Sequence, residues 1–416
     1  MNKRILSLLG VVALCWGGVC QGGSVFREIS RGELRDRIAG FWYGELVGNF
    51  MGYPFESKYR DTPVPVLVDR YYDYRDAGAV NIATNDVRGV IRHVTGHYGG
   101  AVSDDDTDIE LVTLHAVEKY GLDLTYPEIT EMWKTHINRN IWAANREARK
   151  LMEEGLLPPA TGAKENNRHW FTIDPQLVNE IWSVFYPGMT DKAVARAEWG
   201  ACITSEDWGT HPTRFYAYIC SRAVFESDTR RLVEHAVEVI PEGSPFREGL
   251  VDVLKWHGEY EDWRETRHRI HEKYFRYQKD DYKAPVSVIS SLCNGLCGAL
   301  ALLYGEGDFM KTVGLAVSAG YDCDNQAATC GGIIGLMHGA AAIPDRLTKE
   351  MPNGKPWETP FNNRYLNITR DNLPNVFTLD DLIDRTLGIA EQAILEEGGR
   401  KEQKEGRTIY VVPCQF

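Results

Sequence analysis

Basic side chains are in deficit: 46 Lys and Arg stand against 59 Asp and Glu, a formal charge of −13 over 416 residues. A nucleic-acid footprint wants clustered Lys and Arg, so this balance argues against that partner. Cysteine is present but without pattern. Of nine, Cys15 and Cys20 fall within the first 23 residues, and the other seven are scattered with no CxxC or Cys/His spacing. That speaks against a disulfide framework and against a zinc site. Cys293 and Cys297, set four apart among small residues, read as buried thiols. Low-complexity linkers and repeats of fixed period are absent. Strand-like alternation is scarce, with Tyr410-Val411-Val412 the best candidate. Beyond the N-terminus no apolar run reaches the roughly 20 residues that cross a bilayer, so no stable membrane insertion is expected.

The N-terminus has its own organisation. Asn2-Lys3-Arg4 supplies positive charge, Ile5 to Val19 is apolar, and Gly18, Cys20, Gly22, Gly23 and Ser24 supply small residues for cleavage. A signal peptide over 1–23 is expected, with export to a periplasmic or extracellular space. A retained anchor is the alternative. Lipid modification of Cys20 is disfavoured, because Val19 stands where such sites carry a small residue.

What remains is helical in period. Ile109 to Val117, Leu232 to Ile240 and Leu382 to Ile394 place apolar side chains three and four apart. Punctuation falls at Pro63-Val64-Pro65, Pro158-Pro159, Pro187-Gly188 and the polar stretch 353–375. With 43% hydrophobic residues the chain can bury a large core. One all-α domain over 24–416 is expected. Oligomeric state is not written in these patterns.

Three segments break the ordinary pattern. Gly40, Gly44, Gly48 and Gly52 recur at every fourth position of a helix, with Glu56 following. Each glycine costs the helix about 1 kcal/mol relative to Ala, which a close backbone crossing or a site would offset. The second segment, Ser103-Asp104-Asp105-Asp106-Thr107-Asp108, heads a helix. Capping and the helix dipole account for one or two of these acids; the cluster asks for open water or for a hard divalent cation. The third, Gly320-Tyr321-Asp322-Cys323-Asp324-Asn325, again places acids at a helix start, and Ala327, Ala328, Gly331 and Gly332 keep that helix slim. Two acid-headed, slim helices are what a two-ion site in a helical bundle requires.

Together these segments resemble the ADP-ribosylglycohydrolase family, of the dinitrogenase-reductase-activating glycohydrolase type. That family has a glycine-spaced first helix leading to a Glu, a Thr-Asp-Asp-Thr turn, and a late Gly-x-Asp-x-Asp-Thr turn before an Ala/Gly-rich helix. The resemblance spans Arg31 to Ile394, including Gly339-Ala340-Ala341-Ala342 and Tyr304-Gly305. It implies a compact orthogonal all-α bundle with a dinuclear Mg²⁺ cleft that hydrolyses a bond at a sugar's anomeric carbon. Carried over singly, it implies Asp105, Asp106, Asp324 and Asn325 as metal ligands, with Asp104 a further one. Asp322 is implied as base toward water, and Glu56 as an assistant to the leaving group or a gate. Asp106 counts among the catalytic residues as well.

Three positions depart from the family: Asp104 and Asn325 replace threonines, and Asn49 replaces an Asp. All still offer oxygen to a hard cation. The segment Thr161 to Trp170 stands where family members cradle a diphosphate with a Gly-Asn-Gly-Ala-Met-Arg-like run. Asn167 and Arg168 echo it, but the small residues are missing. Trp170, Trp182, Trp199 and Trp208 are candidates for core or for sugar stacking, and Glu206 to His211 reads as a recognition rim containing Trp208 and His211. The substrate is thus expected to be an N- or O-glycoside of a ribose-like sugar. The alternatives are a secreted hydrolase of a non-nucleotide furanoside or oligosaccharide, and a non-catalytic binding protein.

Overall fold

Helix α1 (Arg31–Gly52) is buried on almost every side from Ile38 onward, as suits the central rod of a bundle. It starts at Ser30, whose hydroxyl accepts the Glu33 amide at 3.1 Å. The computed structural model describes residues 25–82, 98–276, 286–350 and 356–415. The expected signal peptide lies outside the described residues.

Helices α2 (Asp105–Tyr120), α3 (Tyr126–His136), α4 (Ala143–Glu153), α5 (Glu180–Phe185) and α6 (Thr190–Ala201) follow α1. Next come α7 (His211–Ala223), α8 (Thr229–Ala236), α9 (Pro245–Glu259) and α10 (Trp263–Tyr274). The last group is α11 (Ser291–Gly305), α12 (Phe309–Ser318), α13 (Cys323–His338), α14 (Asp345–Thr348) and α15 (Leu379–Glu396). The expected all-α architecture holds. Tyr410-Val411-Val412 does lie in a strand, β6 (Arg407–Cys414), which pairs antiparallel with β1 (Val25–Ser30) and β5 (Arg400–Lys404). Of the polar stretch 353–375, the described part from 356 onward is less irregular than its composition suggests. There β3 (Tyr365–Leu366) pairs with β2 (Ala101–Val102) and with β4 (Val376–Phe377).

The glycine spacing of α1 is explained by α13. The two helices cross at backbone contact over their length, so a Cβ on Gly40 or Gly44 would lie 2.3 or 2.1 Å from the carbonyl oxygen of Gly335 or Gly331. Further along, one on Gly48 would meet the Ala327 carbonyl at 2.0 Å, and one on Gly52 the Asp324 Cα at 2.3 Å. Dispersion over this dry seam offsets the cost of the glycines. Its consequence is positional: the end of α1 is pressed against the start of α13. On the far side, Trp42 donates its indole N–H to Thr386 of α15 at 3.1 Å. The seven cysteines among the described residues are all free thiols, six of them buried.

Candidate functional site

The start of α2 is fixed by the small sheet. β2 runs parallel to β3, and the Ser103 amide donates to the Leu366 carbonyl at 2.9 Å. The next residue, Asp104, takes the extended N-cap conformation without a capping hydrogen bond from its side chain. Its Oδ2 instead accepts the Asn49 side-chain amide of α1 at 3.3 Å. The same amide donates to Asp106 Oδ2 at 2.5 Å, and Asn325 of α13 donates to Asp106 Oδ1 at 3.3 Å. Asp106 is therefore gripped from both central helices.

The start of α13 is set by two left-handed residues, Gly320 (φ 80°) and Tyr321 (φ 64°). A Cβ at position 320 would sit 2.1 Å from the Tyr59 carbonyl oxygen, so glycine is required there. Tyr321 carries a side chain in a region that costs about 1 kcal/mol or more. Several contacts offset this. Its amide donates to Tyr59 O at 2.8 Å, its carbonyl accepts from Ser57 at 2.7 Å, and its phenol meets His271 Nδ1 at 2.7 Å. The Arg267 guanidinium lies 4.4 Å from the ring centroid. Beyond this hinge the Asp322 amide donates to Asn294 Oδ1 at 3.0 Å, which turns the Asp322 and Asp324 side chains toward α2.

Two triplets of carboxylates result. Asp104, Asp106 and Asp324 each bring one oxygen within 4.8 Å of the others, and Glu56, Asp322 and Asp324 do the same. Asp324 belongs to both. Burial, then Asp324, Glu56 and Asp105, push the Asp322 carboxyl well above the ordinary range. Two neutral oxygens lie at the same place: Asn49 Oδ1 and Asn325 Oδ1 are buried and, among the described residues, have no hydrogen-bond partner. Crowded acids with unused amide oxygens are a donor set that fits hard divalent cations.

All the acids of these triplets but Asp104 line a narrow cleft, together with Asp105, Trp142, Ala143, Ile173, Asp174, Leu177 and Ile289. Its volume is ≈ 70 Å³, room for ions and a few waters at its floor. Trp142 stands at the mouth and is 45% exposed, with Ala143 beside it at φ 33°. Asp174 is buried; it accepts the Asn145 amide at 2.9 Å and the Thr172 hydroxyl at 2.6 Å. Burial raises its pKa. Neither Trp142 nor Asp174 is singled out by sequence pattern. The one trace of Asp174 is a lone acid between Ile173 and Pro175.

Asp108, counted with the cluster from sequence, belongs elsewhere. It forms a wholly buried ion pair with Arg370 Nε at 2.7 Å and also accepts the Thr369 hydroxyl. Burial lifts its carboxyl to about 6 against the opposing pull of Arg370. The same guanidinium donates to the Arg139 and Asn140 carbonyls at 2.8 and 2.7 Å, which anchors the segment that carries Trp142.

The structure thus brings Glu56, Asp104, Asp105, Asp106, Asp322, Asp324 and Asn325 together. The four residues expected at a substrate rim are placed differently. Asn167 is buried and spends its amide nitrogen on the carbonyls of Ala144, Thr161 and Thr204, so it buttresses the start of α4 from behind. Arg168 is exposed and donates to His169 Nε2 at 3.1 Å. Trp208 is buried edge-on against Trp170, with ring centroids 5.0 Å apart. His211 opens α7, meets Ser244 Oγ at 2.7 Å, and is held by burial to a pKa of about 4. None of the four is among the cleft-lining side chains. Trp182 and Trp199 are helical residues packed edge to face on each other.

Residues 30–378 match the family model described as ADP-ribosylglycohydrolase. Among solved structures, one titled "ADP-ribosylglycohydrolase-related protein complex" is similar at 16% identity and a TM-score of 0.49, over 87% of this chain and 99% of that one. No curated protein matches in sequence.

Proposed function

Because the chain belongs to the ADP-ribosylglycohydrolase family and is a hydrolase, we propose that it cleaves the glycosidic bond of a ribose-like, non-nucleotide sugar in a cleft holding two Mg²⁺ ions. The observation that carries this reading is the sharing of Asp324 between two carboxylate triplets. One position would be held by Asp104, Asp106 and Asp324, with the Asn325 amide oxygen in reserve. The other would be held by Glu56, Asp322 and Asp324, with Asp105 alongside. Divalent ions bound there supply Lewis acidity and make water easier to deprotonate at neutral pH.

The chain's own groups divide the remaining work. Asp322, enclosed and surrounded by acids, is the proton acceptor toward the attacking water. Glu56, half-buried at the cleft edge, gates the departing group, and the proton that Asp322 has taken from the water passes to the departing oxygen or nitrogen. Trp142 offers an exposed ring to the sugar face, and Ile173, Leu177 and Ile289 exclude water around it. Asp174 is available to a sugar hydroxyl at the inner wall.

A non-nucleotide glycoside is favoured by the fate of the segment that cradles diphosphate elsewhere in the family. Here Asn167 is consumed by backbone carbonyls, and Lys164 engages Asp207. Export, read from residues 1–23, agrees with such a substrate. The test is a panel of aryl furanosides, aryl pyranosides and ADP-ribosylated peptides, each assayed with Mg²⁺ and with excess chelator. We expect furanoside hydrolysis that chelation abolishes and Mg²⁺ restores. Turnover that survives full chelation would overturn the two-ion scheme, and turnover confined to the ADP-ribosyl substrates would overturn the substrate reading.

A further inference from the structure

A second group of acids lies inside the bundle, away from the cleft lining. Glu45 of α1, Glu110 of α2 and Glu180 of α5 each bring a carboxylate oxygen within 4.8 Å of the other two, and all three are buried. Nothing in the hydrolytic scheme uses them. Taking even one carboxylate out of water costs several kcal/mol unless it is compensated, and here three are gathered.

The hydrogen bonds around the group show what kind of compensation suits it. Glu110 Oε1 accepts the Ile181 amide at 2.7 Å, and Glu180 Oε1 accepts the Thr329 hydroxyl at 2.6 Å. That hydroxyl is itself an acceptor, at 3.1 Å from Gln176 Nε2, so its hydrogen is committed to Glu180. Burial pushes all three carboxyls above the ordinary range, a cost that a cation between them would relieve, while the donors hold the other oxygen in a fixed direction, as outer partners do for metal ligands. Those other oxygens are left over: Oε2 of Glu45, of Glu110 and of Glu180 has no hydrogen-bond partner among the described residues. Two further oxygens outside the group are also buried and unpartnered. Gln176 reaches the group with its Nε2 through Thr329 and keeps Oε1 over, and Ser183 stands about one turn along α5 from Glu180. None of the three glutamates forms an ion pair among the described residues. Cys220 of α7 faces them as a neutral thiol, its pKa raised by burial and then by Glu180, Glu45 and Glu110.

We propose that Glu45, Glu110 and Glu180 hold a hard divalent cation that pins α1, α2 and α5 together at the centre of the bundle, separate from the ions of the cleft. All-oxygen, carboxylate-rich coordination is what Ca²⁺, Mg²⁺ and Mn²⁺ take. The role is structural, because all three glutamates are buried and none is among the cleft-lining residues.

The test uses the full chain, purified, warmed and crystallised in Mn²⁺, with data collected for anomalous scattering. A peak among Glu45, Glu110 and Glu180, distinct from any in the cleft, is expected. The E45Q/E110Q/E180Q variant should then hold one manganese fewer per chain by elemental analysis and retain the manganese of the cleft. The wild-type crystal decides the matter even if that variant fails to fold. No peak between the three glutamates would overturn the proposal and leave shared protons as the compensation. An unchanged manganese count in a folded variant would overturn it too.

Discussion

Asp106 and Asp108 stand two residues apart in the first turn of α2, yet one faces the cleft and the other faces a guanidinium. Asp106 is held by Asn49 and Asn325 and crowded by Asp104 and Asp324. Asp108 is closed off by Arg370 and Thr369. The helix turns roughly 200° between them, so neighbours in sequence become residents of different environments. The lesson is that an acid-rich turn is not one site. Half of it binds the molecule together, and the other half is left to meet something from outside.

The sharpest way to break this division is to neutralise each half in turn. Asp324→Asn removes the carboxylate common to both triplets. It is expected to lower kcat/KM roughly 10³-fold, about 4 kcal/mol of barrier, while the melting temperature stays level or rises, because crowded like charges are relieved. Arg370→Met strands the Asp108 carboxylate in the interior. It should cost about 3–5 kcal/mol in urea unfolding, the usual penalty for breaking a buried pair. Were the two variants to trade phenotypes, the division would be wrong. Gly48→Ala tests the seam that carries Asp324 toward α2. With a Cβ 2.0 Å from the Ala327 carbonyl oxygen, the helices must part, at about 1–3 kcal/mol and with loss of activity beyond the stability change. Trp142→Ala should raise KM roughly fivefold on the best substrate with little change in kcat, in keeping with about 1 kcal/mol of aromatic contact.

The smallest effect concerns an acid distant from both. Burial pushes Glu118 up, but hydrogen bonds from Arg385 and His115 outweigh it and hold the carboxyl near about 2. A depressed carboxyl stabilises the fold above its unfolded value of 4.5, and that contribution fades as pH falls toward about 2. The gap in unfolding free energy between the wild type and Arg385→Met, about 1 kcal/mol after solvent screening, should therefore close across that window. A gap that persisted at pH 2 would assign Arg385 a packing role instead.

The sequence carried the helical architecture and the acids that form the cleft, because both leave local marks: apolar spacing of three and four, and carboxylates stacked at helix starts. It also carried the demand that α1 be slim, though the partner helix that imposes this is 271 residues or more away from the glycines it meets at that end, as with Gly52 and Cys323. What it could not carry was the fate of single side chains that depend on distant partners. Arg370 decides what Asp108 does from across 262 positions, and Arg370 has no local motif. Trp208 and His211 lie in a polar-looking stretch, but the 3₁₀ turn Asp207–Thr210 and α7 fold them inward against Trp170 and Ser244. Trp142 becomes a cleft residue only because Arg370 and Asn167 hold its flanks. Glu45 and Glu110 look like ordinary exposed positions of their helices until three helices converge on them.

The most direct measurement of the central claim is electron paramagnetic resonance of the Mn²⁺-loaded protein, wild type against Asp324→Asn. A spin-coupled pair of manganese ions is predicted in the wild type and should vanish in the variant, since one carboxylate serves both positions. A wild-type spectrum of isolated ions only, or a coupled pair that outlives the loss of Asp324, would contradict the account.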